Sequence, residues 1–217
     1  MLVERSLHPD YLSNTYLVAD EEGGKAVFVD SGGPMEPLHE AAKRWRVTPE
    51  YVLRTHSHHD HVVHEGELGL PVRTDPVEVG GLRFEAIPTP GHSDDMIAFV
   101  VNDEAVFTGD TLFKDSVGGG DLEQVRRAVM DVFLAMRDDM RVLPGHTDET
   151  TIGRERDENP FVRYWRGLEE GTDRVRVAGE DATLVVWSPD YDGKGKALVR
   201  FADGREAIVG GSRVERS

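Results

Sequence analysis

Between positions 55 and 61 the chain reads Thr55-His56-Ser57-His58-His59-Asp60-His61, four imidazoles and a carboxylate within seven residues. Imidazole nitrogens and carboxylate oxygens are the donors that hold zinc, iron or manganese. The run Tyr51-Val52-Leu53 just upstream has strand character, so Thr55 falls about where that strand ends. If residues 55 to 58 stay extended, side-chain alternation turns His56 and His58 to one side. Asp60 and His61 open a segment that could be helical, where an acidic residue in the first turn is favoured. Such a spacing could serve two metal ions side by side. Taken alone, it fits a solvated metal trap on the surface equally well.

The elements that would position these groups repeat one device. A short apolar strand followed closely by His or Asp occurs around His56, His92, Asp110 and His146, with a turn assisted by glycine or proline before the last three. The strands concerned are Tyr51–Leu53, Leu82–Ile87, Ala105–Thr108 and Arg141–Leu143. Loops held by a rigid sheet are where binding and catalytic groups are commonly placed. Upstream, Thr15–Ala19 and Ala26–Asp30 read as two strands, the second running into the tight turn Asp30-Ser31-Gly32-Gly33. Pro37 to Arg46 reads as a helix with Leu38, Ala41, Ala42 and Trp45 on its apolar face. The β-α-β rhythm predicts an α/β layered fold. A hairpin is expected at Asn102-Asp103, and Leu122 to Met136 carries an apolar face of Leu122, Val125, Val129, Val132, Phe133 and Met136.

After His146 the pattern predicts a helical arm to Leu168, broken at Asn159-Pro160, and then a linker from Gly167 to Asp173. From there the rhythm changes to short strands, Val175–Ala178, Thr183–Ser188, Ala197–Ala202 and Glu206–Val209, with Asp203-Gly204 a strong hairpin signal. We read residues 1–170 as a catalytic domain and 171–217 as a small antiparallel β appendage. The appendage holds no histidine and cannot contribute an imidazole to the site.

Composition limits the function classes. A 217-residue chain with 38% hydrophobic and 30% charged residues is that of a soluble globular protein with room for a full core. A net charge of −16 repels phosphate backbones, so no nucleic-acid partner is expected. No apolar run approaches a membrane span and no secretory signal is visible, so the expected setting is cytoplasmic, without a membrane partner. Without cysteine there are neither disulfides nor thiolate ligands, and any metal is held by nitrogen and oxygen. The oligomeric state is not legible.

The set THSHHDH, TPGHS around His92, FTGDTLF around Asp110 and LPGH around His146, with the VDSGG turn at Asp30, resembles the metallo-β-lactamase superfamily. More narrowly it is similar to the hydroxyacylglutathione hydrolase (glyoxalase II)-like branch. The matching stretches follow the family's order over more than half the chain. The resemblance implies a four-layer αββα sandwich with the site at one edge of two sheets. It places His56, His58 and His92 on one metal and Asp60, His61 and His146 on a second, with Asp110 bridging both. His59 and His64 fall at non-ligand positions, and Asp30 supports the ligand loops. The implied cofactor is two divalent ions, zinc first, with iron or manganese as alternatives. The implied activity is hydrolysis of a small-molecule acyl ester or thioester by a metal-bridging hydroxide, with Asp60 and Asp110 as catalytic groups.

Departures from that branch bear on the substrate. The loop after Asp110 reads LFKDSVGGGD, where Lys114 is a candidate contact for an anionic substrate group. A β appendage stands where a helical domain would carry basic glutathione contacts, and Arg163 and Arg166 are the remaining candidates for that role. The resemblance also admits a mononuclear iron persulfide dioxygenase using His56, His92 and Asp110. A third reading is a non-enzymatic metal-binding scaffold.

Overall fold

The computed structural model describes residues 1–171 and 173–216. Its first sheet follows chain order, β1 (Leu2–Leu7), β2 (Asn14–Ala19), β3 (Lys25–Val29), β4 (Thr48–Leu53) and β5 (Val72–Arg73). The hairpins β1–β2 and β2–β3 are antiparallel, whereas β3–β4 and β4–β5 are parallel. Helix α1 (Glu36–Trp45) makes the β3–β4 crossover and stops where Arg46 takes a left-handed φ of 58°. Two single-turn helices, α2 (His59–Val62) and α3 (Glu65–Leu68), connect β4 to β5.

The second sheet contains β6 (Val77–Val79), β7 (Leu82–Pro88), β8 (Ile97–Val101) and β9 (Ala105–Gly109), followed by β12 (Arg141–Pro144) and β13 (Thr150–Thr151), beyond the two-stranded hairpin β10 (Leu112–Phe113) and β11 (Ser116–Val117). Strand β12 is parallel to β9, and β7 is separated from β9 by the antiparallel β8. Strands β7, β9 and β12 therefore run the same way and end on one edge. That edge carries His92, Asp110 and His146.

Period-two alternation explains the layers. Tyr16, Val18, Val27, Val29 and Leu53 of the first sheet meet Phe99, Val101, Phe107 and Leu143 of the second in an inter-sheet core. The alternate residues Leu17, Ala19, Phe28 and Val52 turn outward against Leu38 and Ala41 of α1. On the opposite side Ala98, Val100, Val106 and Val142 pack against helical residues Val125, Val129, Phe133, Phe161 and Val162. The molecule is the four-layer αββα sandwich, completed there by α4 (Leu122–Arg127), α5 (Ile152–Glu158) and α6 (Pro160–Trp165).

The last sheet has the order β17-β16-β15-β14-β18 and is antiparallel throughout. Its strands are β14 (Asp173–Val177), β15 (Glu180–Ser188), β16 (Lys196–Phe201), β17 (Glu206–Gly210) and β18 (Val214–Arg216). One face has a core of its own around Val175, Leu184 and Val199. The other contributes Val185, Val186 and Leu198 to the cluster that holds Phe161 and Trp165 of α6. The linker expected from Gly167 to Asp173 includes Thr172, which lies outside the described residues. No helix among the described residues is long and apolar enough to cross a membrane.

The short strands β5, β6, β10, β11, β13 and β18 add to the sequence reading, and two longer elements differ from it. The amphipathic stretch from Leu122 is α-helical only to Arg127, then widens to a π turn at Ala128–Val132 and tightens to a 3-10 turn at Phe133–Ala135. Val125, Val129 and Phe133 recur every four residues, slightly longer than an α-helical turn, and the wider turn keeps all three in the core. Strand β1 was not anticipated, because charges interrupt Leu2–Leu7. It is an edge strand whose register is set by β2, where Leu2 pairs with Ala19 and Leu7 with Asn14.

Candidate metal centre

The structure brings together all seven residues singled out as ligands. Their donor atoms fall into three overlapping groups: His56, His58 and His92; His56, His61 and Asp110; and Asp60, His61 and His146. Within the first, His58 Nδ1 lies 3.1 Å from His56 Nε2 and 2.9 Å from His92 Nε2. On the other side, Asp60 Oδ2 is 3.5 Å from His61 Nε2 and 3.4 Å from His146 Nε2. Asp110 lies between the two sides. Its Oδ1 is 3.4 Å from His61 Nε2, and its Oδ2 is 3.5 Å from His92 Nε2 and 3.3 Å from His146 Nε2.

Hydrogen bonds behind the rings fix which nitrogen faces inward. His61 Nδ1–H donates to Asp30 Oδ2 at 2.9 Å, His92 Nδ1–H to the Gly119 carbonyl at 3.0 Å, and His146 Nδ1–H to the Leu12 carbonyl at 2.8 Å. The Thr55 hydroxyl donates to Asp30 Oδ2, so its remaining capacity toward His56 Nδ1, 3.0 Å away, is as an acceptor. These bonds leave the Nε2 lone pairs of His56, His61, His92 and His146 aimed at the centre, the outer-shell arrangement that orients metal-binding imidazoles. His58 differs, presenting Nδ1. Asp30, held at a left-handed φ of 57°, ties two ligand segments by accepting from Thr55 N–H and His61 Nδ1–H.

Burial and charge reinforce this geometry. Burial pushes His56 down to about 4, and burial also lowers His92, so both stay neutral at neutral pH. Burial opposes charge on His61 and His146 too, but Asp110 outweighs it, helped by Asp30 at His61 and by Asp60 at His146. His61 is raised well above the ordinary histidine value, and His146 is raised to about 9. Burial disfavours the Asp110 carboxylate, yet His61 and His146 hold its pKa far below the usual range. His61 Nε2 and Asp110 Oδ1 are fully buried and have no hydrogen-bond partner. Buried polar atoms left unsatisfied are costly unless something else satisfies them, and these two face the shared centre. The donor set fits divalent cations.

A pH-dependent result follows. Without metal, His61 and His146 each hold an Nε2 proton at pH 7, since both titrate above it. Coordination requires both protons to leave. Metal uptake at pH 7 is therefore expected to release one proton from each ring, and apparent affinity to rise with pH toward about 9. Calorimetric titrations in two buffers of different ionisation enthalpy measure the count. Uptake without proton release would show that neither ring is displaced.

The remaining predicted residues lie outside the cluster. His59 is exposed and packs edge-on against Tyr11 with ring centroids 5.9 Å apart, and His64 bonds Glu67 at 3.1 Å. Lys114 lines a cavity beside His146 rather than the centre itself. Arg163 and Arg166, the candidate glutathione contacts, are engaged elsewhere. Arg163 pairs with Glu169 at 2.6 Å, and Arg166 donates to the Arg156 carbonyl at 2.6 Å. Sequence reasoning missed Tyr191, in the β15–β16 loop. Its ring stacks on His146 at a centroid distance of 3.8 Å and an interplanar angle of 8°. Burial raises its phenol pKa, with Asp110 and Asp60 adding to the effect. No local motif marks it, because its partner lies 45 residues upstream in another element.

Residues 8–63 match the family model described as Metallo-beta-lactamase superfamily. The hydroxyacylglutathione hydrolase GloC of Haemophilus influenzae is 27% identical over 199 residues, 70% of this chain and 93% of GloC. Among solved structures, TTHA1623 in a di-iron-bound form superposes with a TM-score of 0.59 at 30% identity, covering 72% of this chain and 98% of that one. ETHE1 from Myxococcus xanthus does so with a TM-score of 0.64 at 29% identity, covering 75% and 84%. The chain belongs to the metallo-β-lactamase superfamily.

Proposed function

We propose that this protein is a binuclear metal-dependent hydrolase of a small acyl ester or thioester. The observation that carries the reading is the convergence of two three-donor groups, His56/His58/His92 and Asp60/His61/His146, on the single carboxylate of Asp110. A pair of bound divalent cations would supply a hydroxide-strength nucleophile at neutral pH and a Lewis acid for the carbonyl oxygen. The protein's own part is to hold the donors rigid through the Nδ1 bonds to Asp30, Gly119 and Leu12. Asp60 is partly exposed, with 26% of its side chain accessible, so it is placed to accept a proton from the attacking water and return it to the leaving group.

The likeness to GloC supports thioester chemistry, and the di-iron structure of TTHA1623 supports a two-metal centre. Nitrogen and carboxylate donors serve zinc, iron and manganese alike. Because Arg163 and Arg166 are engaged within the chain, S-lactoylglutathione is expected to be bound weakly, and simpler acyl thioesters to be processed comparably. The test combines metal analysis with a substrate panel. Metal-replete protein should hold close to two ions per chain and cleave simple acyl thioesters. At most one tightly bound ion removes the binuclear reading. Oxygen uptake with glutathione persulfide by the iron-loaded protein, with no thioester cleavage, replaces it with the dioxygenase reading.

A further inference from the structure

A cavity of about 310 Å³ opens beside the metal centre, lined by residues that include Arg5, Lys114, Asp115, Asp148, Asp190 and Tyr191. Three observations join it to the site. Tyr191, stacked on His146, is a wall shared by both. Leu12 and Thr147 also line it, the first accepting the His146 Nδ1 bond and the second following His146 in the chain. Lys114 and Asp115 come from the hairpin that begins two residues after Asp110.

The last sheet and α5 hold this hairpin in place. The Ser188 hydroxyl donates to the Asp115 carbonyl, and Lys196 Nζ donates to the Val117 carbonyl at 2.8 Å. Asp115 N–H donates to Glu155 Oε2 at 2.8 Å, and Lys114 N–H to the Thr147 hydroxyl at 3.3 Å. The backbone that carries Lys114 is thereby fixed from both sides.

Charge accounting then singles out one group. Each acid of the lining has a cationic partner: Asp148 pairs with Arg5 at 3.0 Å, Asp115 with Arg154 at 2.8 Å, and Asp190 with Lys196 at 3.3 Å. Of the five lysines in the sequence, four are in ion pairs, Lys25 with Glu50, Lys43 with Glu40, Lys194 with Asp192 and Lys196 with Asp190. Lys114 is half-buried, and among the described residues its ammonium has no ion-pair partner. In a chain of net charge −16, a cation left unpaired has a reason to be sought. The surrounding field repels anions in general, so an anionic substrate needs a local cation to be held.

We propose that this cavity is the subsite for an anionic group, a carboxylate or a phosphate, that the substrate carries away from its scissile bond. Lys114 is its charge partner and Tyr191 the wall that sets its distance from the metal centre. The assignment rests on the acyl-hydrolase reading for its substrate, and on the cavity's geometry for its ligand chemistry. It makes the β15–β16 loop part of substrate recognition.

Two measurements test it. The first compares kcat/KM for a neutral thioester, S-acetyl-N-acetylcysteamine, with one bearing a carboxylate on the acyl side, S-succinyl-N-acetylcysteamine, and one bearing a phosphate on the thiol side, S-acetyl-4′-phosphopantetheine. One anionic substrate should be preferred by the wild type, and which one identifies the source of the charge. In Lys114→Ala the anionic-to-neutral ratio should fall about tenfold, through KM, as expected for one charged hydrogen bond. Lys114→Arg should retain the preference and Lys114→Glu reverse it. The second measurement needs no turnover: calorimetric binding of glutarate and of inorganic phosphate to the metal-loaded protein. At least one should bind the wild type and lose about tenfold in affinity in Lys114→Ala. If no thioester is cleaved but this loss is seen, the hydrolase reading falls and the subsite stands. Equal affinity in wild type and Lys114→Ala would mean that the anion sits on the metals alone, and that result overturns the proposal. Absence of binding by both probes, or an unchanged ratio in the kinetic test, does so as well.

Discussion

Asp110→Asn is expected to lose metal from both positions at once and to lower kcat/KM by about three orders of magnitude. Asp110 is the one carboxylate whose two oxygens approach both groups of imidazoles, at 3.3 to 3.5 Å from His61, His92 and His146. It is 4% exposed, so its charge is not replaced by solvent when the amide takes its place. Removing one partner from a buried charged constellation costs roughly 3–5 kcal/mol, and the same amount off transition-state stabilisation is roughly 10²–10⁴ in rate. The amide also withdraws the charge that raises His61 and His146. Elemental analysis and kinetics on one preparation give the answer. His92→Ala, which removes a donor from one group only, should lose metal mainly from that side, and His59→Ala should keep the wild-type stoichiometry. Wild-type metal content in Asp110→Asn would show that the carboxylate does not bridge.

A comparably large effect is expected at Gly32, a residue that touches no ligand side chain. A methyl group there would overlap the Asp60 carbonyl oxygen and stand 3.0 Å from His61 Cα. Both neighbours are main chain at the start of α2, where Ser31 N–H already donates to the His61 carbonyl at 2.8 Å. No flexible side chain can give way, so Gly32→Ala has to displace the backbone that carries Asp60 and His61. Overpacking of this kind costs about 3 kcal/mol. For a chain of this size that corresponds to a fall in Tm of roughly 6–12 °C. The metal-bound state should be affected more than the metal-free one, because the displaced segment supplies two donors. Gly66→Ala is the matched control, since nothing lies within 4 Å of a methyl group at that position and it sits in α3. Thermal melts with and without metal decide the matter. Coincident melting of Gly32→Ala and wild type would mean that the turn and α2 are not packed as described.

The alternating apolar pattern of β2, β3, β8 and β9 was legible because side chains on a strand face opposite ways by covalent geometry alone. The sandwich has to bury both sets. The positions of His92, Asp110 and His146 after strands were legible for a similar reason, since glycine and proline end those strands locally. Nothing local could reveal that His58 presents Nδ1 while His61, His92 and His146 present Nε2, because carbonyls and carboxylates from elsewhere, at Leu12, Asp30 and Gly119, decide the orientations of those three. The π turn at Ala128–Val132 depends on which side chains the sheet and α6 have to meet. The same limit applied to the appendage. Its strands follow from the spacing of turn residues, but the contact of Tyr191 with His146 and the isolation of Lys114 depend on how three separated segments pack. The sequence by itself determined which groups can bind metal and the strand ends that carry them, because residue type and local backbone preference suffice for that. Only the tertiary structure decided how those groups face one another and what lines the cavity beside them, because such contacts join residues far apart in the chain through packing and hydrogen bonding.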